Sequence, residues 1–234
     1  MKYNIRINEV KSEDSQIKAF ATVTFDNSLL VRNIAIVSRR DSDELFVSMP
    51  SYRTNDVTEK GEPIYRDVCN PITKEFYEEF SKNILIAYEN RTDISKEGME
   101  FTKGDAAEPM KFVVKVSPIN RDSSSLKGLG RIYLNDEFVI SNVKLVEGKN
   151  GMFVSMPDYR TDKYKDNKPV YRELVFPVTK EFREKLYGEF ERIYQSEKSK
   201  GKSETRPDKE ADRAPAKTGK KDKAEKEPEP AVAR

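Results

Sequence analysis

The segment LFVSMPSYRT at residues 45–54 returns as MFVSMPDYRT at residues 152–161, with eight of ten positions identical. The similarity is not confined to this segment. At an offset of 109 residues, IKAFATVTFDN (17–27) aligns with LKGLGRIYLND (126–136). A period of this size is a domain length, far above the roughly 20–50 residues of solenoid and propeller repeats. The sequence therefore predicts a tandem duplication of one whole domain.

The repeat divides the chain into four parts. We expect a first domain at residues 1–90 and a second at 110–196, joined by a linker at 91–109 that shows no sustained hydrophobic pattern. Residues 197–234 consist almost entirely of charged residues, Ala, Pro and Ser, without aromatic side chains. Such a segment cannot bury enough apolar surface to offset its ordering entropy, so we predict a disordered tail.

Each copy has the pattern of a sheet followed by a helix. In IKAFATVTF the apolar residues alternate with polar ones, which is typical of a half-buried strand, and Asp26-Asn27 predicts a hairpin turn after it. Near the end of each copy, Thr73 and Thr179 are candidate helix N-caps. The helices that follow carry apolar stripes at helical spacing, formed by Phe76, Phe80, Ile84 and Ala87 in copy one and by Phe182, Leu186, Phe190 and Ile193 in copy two. The predicted fold class is α+β, with two copies of a small antiparallel sheet closed by a C-terminal helix.

The composition argues against an enzyme. The chain has no histidine and a single cysteine, so neither a Cys–His or Ser–His nucleophile pair nor a usual zinc site can be built, and no glycine-rich phosphate loop is present. We expect no cofactor. Cys69 has Val175 as its counterpart, which indicates a small strand residue rather than a nucleophile. Without a signal peptide, a membrane span or a possible disulfide, we expect a cytoplasmic protein that does not contact membranes.

The two copies differ in charge although the whole chain has a net charge of only +2. Residues 1–90 carry 12 Lys and Arg against 15 Asp and Glu, whereas residues 110–195 carry 16 against 12. The second copy is therefore the basic one, and the copies are not electrostatically equivalent.

The order of motifs is the same in both copies and resembles that of the SpoVG family of stage V sporulation and septation-regulator proteins. A strand ending in FVSMP is followed by Arg-Thr and a polar segment, and then by PIYRDVCNPI (63–72) or PVYRELVFPV (169–178) before the helix. The family pattern runs roughly FVAMPSKRT and then EFRDIAHPI. The resemblance covers nearly all of both copies. It implies a small, non-enzymatic, nucleic-acid-binding regulator of the bacterial cytoplasm, in a version with two fused domains where usual members are single domains that dimerise.

The resemblance also implies binding residues. Basic residues around the Arg-Thr pair and the following strand carry over to Arg53 and Arg66 in copy one, and to Arg160 and Arg172 in copy two. The chain departs from the family pattern at several of the neighbouring positions. The basic residue before Arg-Thr is replaced by tyrosine, the histidine before proline is replaced by Asn70 and Phe176, and in copy two the residue after the arginine is glutamate rather than aspartate.

The residues of copy two indicate the same binding surface even without the family resemblance. The segment YRTDKYKDNKPVYR (159–172) contains five cations with interleaved tyrosines; the residues are Arg160, Lys163, Lys165, Lys168 and Arg172, with Tyr159, Tyr164 and Tyr171. Cations that neutralise phosphate beside rings that stack on bases suit a nucleic-acid site. The equivalent segment of copy one is electrically balanced, so we expect copy two to carry most of the binding. A polar loop that is merely solvated fits the same pattern.

Fusion of a domain that otherwise dimerises suggests an intramolecular pseudo-dimer, and a linker of this length equally permits a homodimer with exchanged domains. Two other functions remain open. The chain could instead be an adaptor that recruits protein partners in septation or gene regulation without contacting nucleic acid. Alternatively, only the Lys-rich tail binds nucleic acid, weakly and without sequence preference.

Overall fold

The structure is a computed structural model that describes residues 1–12, 14–40, 42, 44–92, 98–104, 109–121 and 123–201. Most of the predicted tail, from residue 202 onward, lies outside the described residues, as do parts of the predicted linker.

Copy one forms a sheet, a separate hairpin and a helix. Its elements are β1 (Lys2–Glu9), β2 (Ile17–Phe25), β3 (Leu29–Ser38), β4 (Leu45–Ser48), β5 (Ser51–Val57), β6 (Pro63–Asp67), β7 (Cys69–Pro71) and α1 (Lys74–Glu89). Strands β1 to β4 are antiparallel neighbours in one sheet, and β5 and β6 pair only with each other.

Copy two repeats this order after β8 (Met99–Thr102), which belongs to neither copy's repeat. Its elements are β9 (Phe112–Pro118), β10 (Leu126–Leu134), β11 (Phe138–Gly148), β12 (Gly151–Ser155), β13 (Asp158–Lys165), β14 (Lys168–Glu173), β15 (Val175–Pro177) and α2 (Lys180–Gly201). The antiparallel sheets and two helices confirm the predicted α+β class.

The predicted strand and turn of copy one are confirmed. Ala19, Ala21, Val23 and Phe25 of β2 are fully buried, while the residues between them are partly exposed. Asp26 and Asn27 both have positive φ, as a two-residue hairpin turn that matches strand twist requires, and Asn135 and Asp136 do the same in copy two.

Both helices begin at the predicted threonine caps. The Thr73 hydroxyl accepts a hydrogen bond from the Phe76 N–H at 3.2 Å, and the Thr179 hydroxyl accepts one from Phe182 at 3.2 Å. Behind the first cap, all four residues of the predicted stripe are buried. In α2 the buried residues are Leu186, Phe190 and Tyr194. Phe182 and Ile193, the first and last residues of the predicted stripe, are only partly buried.

The two copies exchange their shortest strands. Strand β7 of copy one pairs with β11 of copy two, and β15 of copy two pairs with β3 of copy one. The exchange is symmetric, because the Arg32 N–H donates to the Leu174 carbonyl at 2.9 Å and the equivalent Ser141 N–H donates to Val68 at 2.7 Å. This reciprocal pattern is that of a two-fold interface, here formed within one chain.

The exchange merges the cores of the two copies. The Phe138 ring of copy two lies 4.9 Å from the Phe25 ring and 5.6 Å from the Phe80 ring of copy one, measured between centroids. The buried residues of both sheets and both helices form a single hydrophobic cluster. The two copies therefore share one hydrophobic core.

The predicted linker contains a strand that the sequence pattern did not reveal. Strand β8 pairs antiparallel with β1, and Phe101 stacks on Tyr3 with ring centroids 5.9 Å apart. Only Met99 and Phe101 alternate with polar residues, which is too short a run to stand out. Gly98 precedes them at φ +92°, and a Cβ there would lie 2.7 Å from the Ile5 carbonyl oxygen, so the close approach to β1 requires glycine.

The second helix also extends beyond the predicted end of its domain at residue 196, through Gly201. Its last turn is supported by an ion pair between Glu197 and Lys200 at 2.9 Å and by two lysines near the negative end of the helix dipole. Residues 197–201, expected in the disordered tail, are therefore helical.

Candidate nucleic-acid interface

The polar segments that the sequence presents as loops fold as two hairpins, β5–β6 and β13–β14. The second, which we call the basic hairpin (residues 158–173), turns at Asp166 and Asn167, both with positive φ. Copy one has a longer connection between Val57 and Pro63. The two-residue turn allows longer strands in copy two, so its cations stand on ordered backbone.

In each hairpin, the threonine of the repeated Arg-Thr pair lies where the pairing of the two strands is irregular. The Thr161 hydroxyl donates to the Val170 carbonyl at 2.8 Å and accepts from the Lys163 N–H at 3.3 Å. Thr54 makes the same two contacts in copy one, to Ile64 at 3.0 Å and from Asp56 at 3.2 Å. Each hydroxyl thus crosses a break in the strand register.

The strand register divides the predicted site residues of the basic hairpin. Tyr159 lies opposite Arg172, and the next pair, Arg160 and Tyr171, lies on the other side of the ribbon. Tyr159 packs against the core, whereas Tyr171 is 56% exposed. Arg172 therefore faces inward over the sheet of copy one, and Arg160 faces outward.

The outward part of the hairpin combines cations with exposed rings. Arg160 donates a hydrogen bond to the Tyr164 hydroxyl, and its guanidinium lies 5.5 Å from the centre of that ring, while Tyr164 is 61% exposed. Near the turn, Lys163, Lys165 and Lys168 are exposed. None of these four cations makes an ion pair with a residue that the structure describes, so their charges are available to a ligand.

The hairpin of copy one is less suited to anions. Arg53 is exposed, but Arg66 forms an ion pair with Asp56 at 3.8 Å. The Arg66 side chain is 38% exposed and that of Asp56 is 66% exposed, so the pair contributes little stability, although it places a carboxylate beside the cation. In charge the two hairpins therefore differ as their sequences indicate.

The single cysteine lies two residues after the end of β6 and is not accessible. Cys69 is fully buried in β7, and burial raises the pKa of its thiol far above the ordinary value. Within the described part of the chain no helix is long and apolar enough to cross a membrane, and no group of three potential metal ligands comes together.

Two arginines that no sequence motif indicates, Arg6 on β1 and Arg32 on β3, lie below the inner face of the basic hairpin. Together with Tyr159 and Arg172 they line one cleft between the copies. Strand alternation places Arg6 on the outer face of its sheet, but only the crossing of the hairpin from the other copy makes that face a cleft. No signal in a single copy could have revealed this neighbourhood.

Comparison with known proteins matches each copy separately. A family model described as SpoVG matches residues 1–90 and residues 110–196. A protein of Clostridium novyi with the provisional name septation protein SpoVG is 33% identical over 105 residues, which are 44% of this chain and 96% of the relative. Proteins of the same name from Heliobacterium modesticaldum and Brevibacillus brevis are 37% identical over 86 residues and 32% identical over 90. These segments are 37% of this chain in both cases, and 86% and 88% of the relatives. Each relative has about the length of one copy.

Proposed function

The chain belongs to the SpoVG family, and from this membership and the geometry of its hairpins we propose that it is a non-enzymatic, cytoplasmic regulator that binds nucleic acid. The observation that carries the proposal is the basic hairpin, whose four exposed cations lack acidic partners among the described residues and lie beside two exposed tyrosines. Phosphate contacts supply most of such affinity, and exposed rings stack on unpaired bases. Single strands fit this surface because stacking needs bases that are free on one face.

The test is fluorescence anisotropy with labelled single-stranded DNA and RNA across a range of salt concentrations. The variant changes Arg160, Lys163, Lys165 and Lys168 together to alanine. We expect a large loss of affinity, with a salt slope smaller by roughly 0.7 for each phosphate contact removed from a single strand. The matched control changes Arg53 and Lys60 of the copy-one hairpin and should keep most of the affinity.

The tail requires its own comparison. A chain ending at Gly201 keeps α2 complete. If this shortened chain no longer binds while the full chain does, the tail is the contact and the proposal for the hairpin fails. Equal loss in the hairpin variant and its copy-one control would also contradict it.

A second candidate, the protein adaptor, rests on a different surface. Strand β12 pairs on one side only within the described residues, and its Phe153 is 50% exposed. Phe46, the equivalent residue on β4, is 39% exposed. An exposed aromatic on an open strand edge can recruit a peptide by strand addition. If neither the full nor the shortened chain binds nucleic acid, this edge becomes the leading site.

A further inference from the structure

The cleft between the basic hairpin and the sheet of copy one has a volume of about 790 Å³. Its floor is the outer face of β1, β2 and β3, where Arg6 lies opposite Thr22. Next to Thr22 the register of β2 and β3 shifts, and a bulge with Asn33 at φ 63° brings Arg32 to the same face. Tyr159 and Arg172 of copy two form the opposite wall. Both copies are needed to make this cleft.

The cleft is lined by four arginines and by no aspartate or glutamate of the described chain. Arg91 is hydrogen-bonded to Glu9 and stacks on Tyr88. Arg6, Arg32 and Arg172 make no ion pair with any described residue. Like charges that converge in a partly enclosed space repel one another unless an anion enters. The arrangement therefore favours a ligand that carries at least two negative charges.

The uncharged lining residues favour a ligand with a planar polar group. Asn8, Thr22 and Asn33 offer hydrogen-bonding groups beside the arginines, and the cleft has the Phe20 ring on its floor and the Tyr159 ring on the opposite wall. The volume is within the roughly 300–1,000 Å³ typical of small-molecule sites. A lone inorganic ion would leave most of this space unfilled.

The equivalent surface of copy two carries a different set of cations. By the repeat alignment, Lys115 replaces Arg6, Ser141 replaces Arg32, and Arg131 takes the place of Thr22 opposite Lys115. The arginine opposite them is Arg66, which already has Asp56 as an acidic neighbour. Copy one therefore has arginines at two positions where copy two has a lysine and a serine, and the arginine above them, Arg172, has no ion-pair partner among the described residues.

We propose that the cleft between the copies binds a phosphate ester of nucleotide size. Arg6, Arg32 and Arg172 hold the phosphate, since guanidinium groups match its geometry with paired hydrogen bonds. The base lies between Phe20 and Tyr159. The same chemistry has two sources, a free nucleotide or one nucleotide of a bound strand. None of Arg160, Lys163, Lys165 and Lys168 lines the cleft, so this site can be tested separately from the proposed function.

The test uses the full chain and a fluorescent N-methylanthraniloyl derivative of ADP, with binding followed by anisotropy and competed with AMP, inorganic phosphate or a single-stranded oligonucleotide. The critical variant is Arg6→Glu, because Arg6 lies outside the hairpin. We expect it to weaken nucleotide binding roughly 10- to 100-fold, as loss of a charge-assisted contact does. Its apparent Tm should not fall, because the carboxylate supplies the missing counter-charge to the other arginines.

The matched control is Lys115→Glu at the equivalent position of copy two, which should leave the affinity within twofold. The alanine variant of Arg160, Lys163, Lys165 and Lys168 should also bind the nucleotide normally, even where it no longer binds a strand. If free nucleotides do not bind but the oligonucleotide does, and Arg6→Glu removes that binding, the phosphate in the cleft comes from a strand. The proposal is overturned if neither probe binds in a way that depends on Arg6, or if both charge reversals have equal effects.

Discussion

At the scale of single residues, the Arg-Thr pair that both copies keep has two different uses. The arginine is exposed in both hairpins, whereas the threonine hydroxyl joins two strands across a register break. The sequence directed attention to the arginine as a binding group. It could not show the role of the threonine, because that role depends on which carbonyl lies opposite, and Val170 is nine residues away.

Thr161→Val removes both hydrogen bonds of the hydroxyl while nearly preserving the shape of the side chain. We expect a loss of about 1–3 kcal/mol in the free energy of unfolding, measured with urea, since each of the two bonds contributes about 0.5–1.5 kcal/mol. Nucleic-acid affinity should fall as well, because Lys163 loses its fixed position. Thr54→Val is the control. Thr54→Val should lower the free energy of unfolding by a similar amount and leave the nucleic-acid affinity unchanged. An equal drop in affinity for both variants would contradict the role given to the basic hairpin.

At the scale of elements, the contact between helix and sheet is filled by different pairs of side chains in the two copies. In copy two, Gly130 of β10 lies beneath Phe190 of α2, and a Cβ on Gly130 would lie only 2.2 Å from the ring. The aligned residues in copy one are Ala21 on the strand and Ile84 on the helix, both fully buried. A smaller strand residue thus accompanies a larger helix residue, which preserves packing density as the copies diverge.

Gly130→Ala should therefore destabilise the protein although alanine is the better strand residue. We expect a loss of about 1–3 kcal/mol in the free energy of unfolding, the usual cost of overpacking. Adding Phe190→Ile, which copies the pair found in copy one, should recover part of that loss. Gly188→Ala is the control on α2, where a Cβ meets nothing within 4 Å. It should be neutral or stabilising, and an unchanged stability in Gly130→Ala would show that the ring moves freely.

The elements also show which parts of the fold could be predicted from the sequence alone. Alternation predicted β2, and cap and stripe spacing predicted both helices, because these signals are local and repeated. The strands β7 and β15 have three residues each and end in proline, so no pattern reveals whether they pair within their own copy or with the other. Only the strand register shows which residues of the basic hairpin face outward. The list of cations in the basic hairpin could be predicted from sequence, but not the inward direction of Arg172.

At the scale of the whole molecule, the two copies should unfold as one unit. Each sheet contains a strand from the other copy, and the aromatic cluster of copy one includes Phe138 from copy two. A mutation in either half therefore removes contacts from both. This differs from two independent domains on a flexible linker, for which the effect would stay in the mutated half.

Phe138→Ala should lower the free energy of unfolding by about 3–5 kcal/mol, as buried Phe-to-Ala changes do. Thermal unfolding should still show a single transition. Hydrogen exchange should show lost protection in β2 of copy one as well as in β11. Phe138→Leu, which introduces the residue found at the aligned Leu29, is the milder control and should cost less than half as much. Two transitions, or lost protection confined to copy two, would contradict a shared core.

The exchanged strands also determine when each strand pair can form during translation. The edge of β3 at Leu29–Val31 is completed by β15, and Val31 pairs with Val175, which is translated 144 residues later. At about 5–20 residues per second, that edge waits roughly 7–30 s for its partner. An unpaired apolar strand edge is a site where nascent chains pair wrongly with their neighbours. Fusing the two copies shortens this exposure, because the completing strand arrives on the same chain and needs no encounter with a second one.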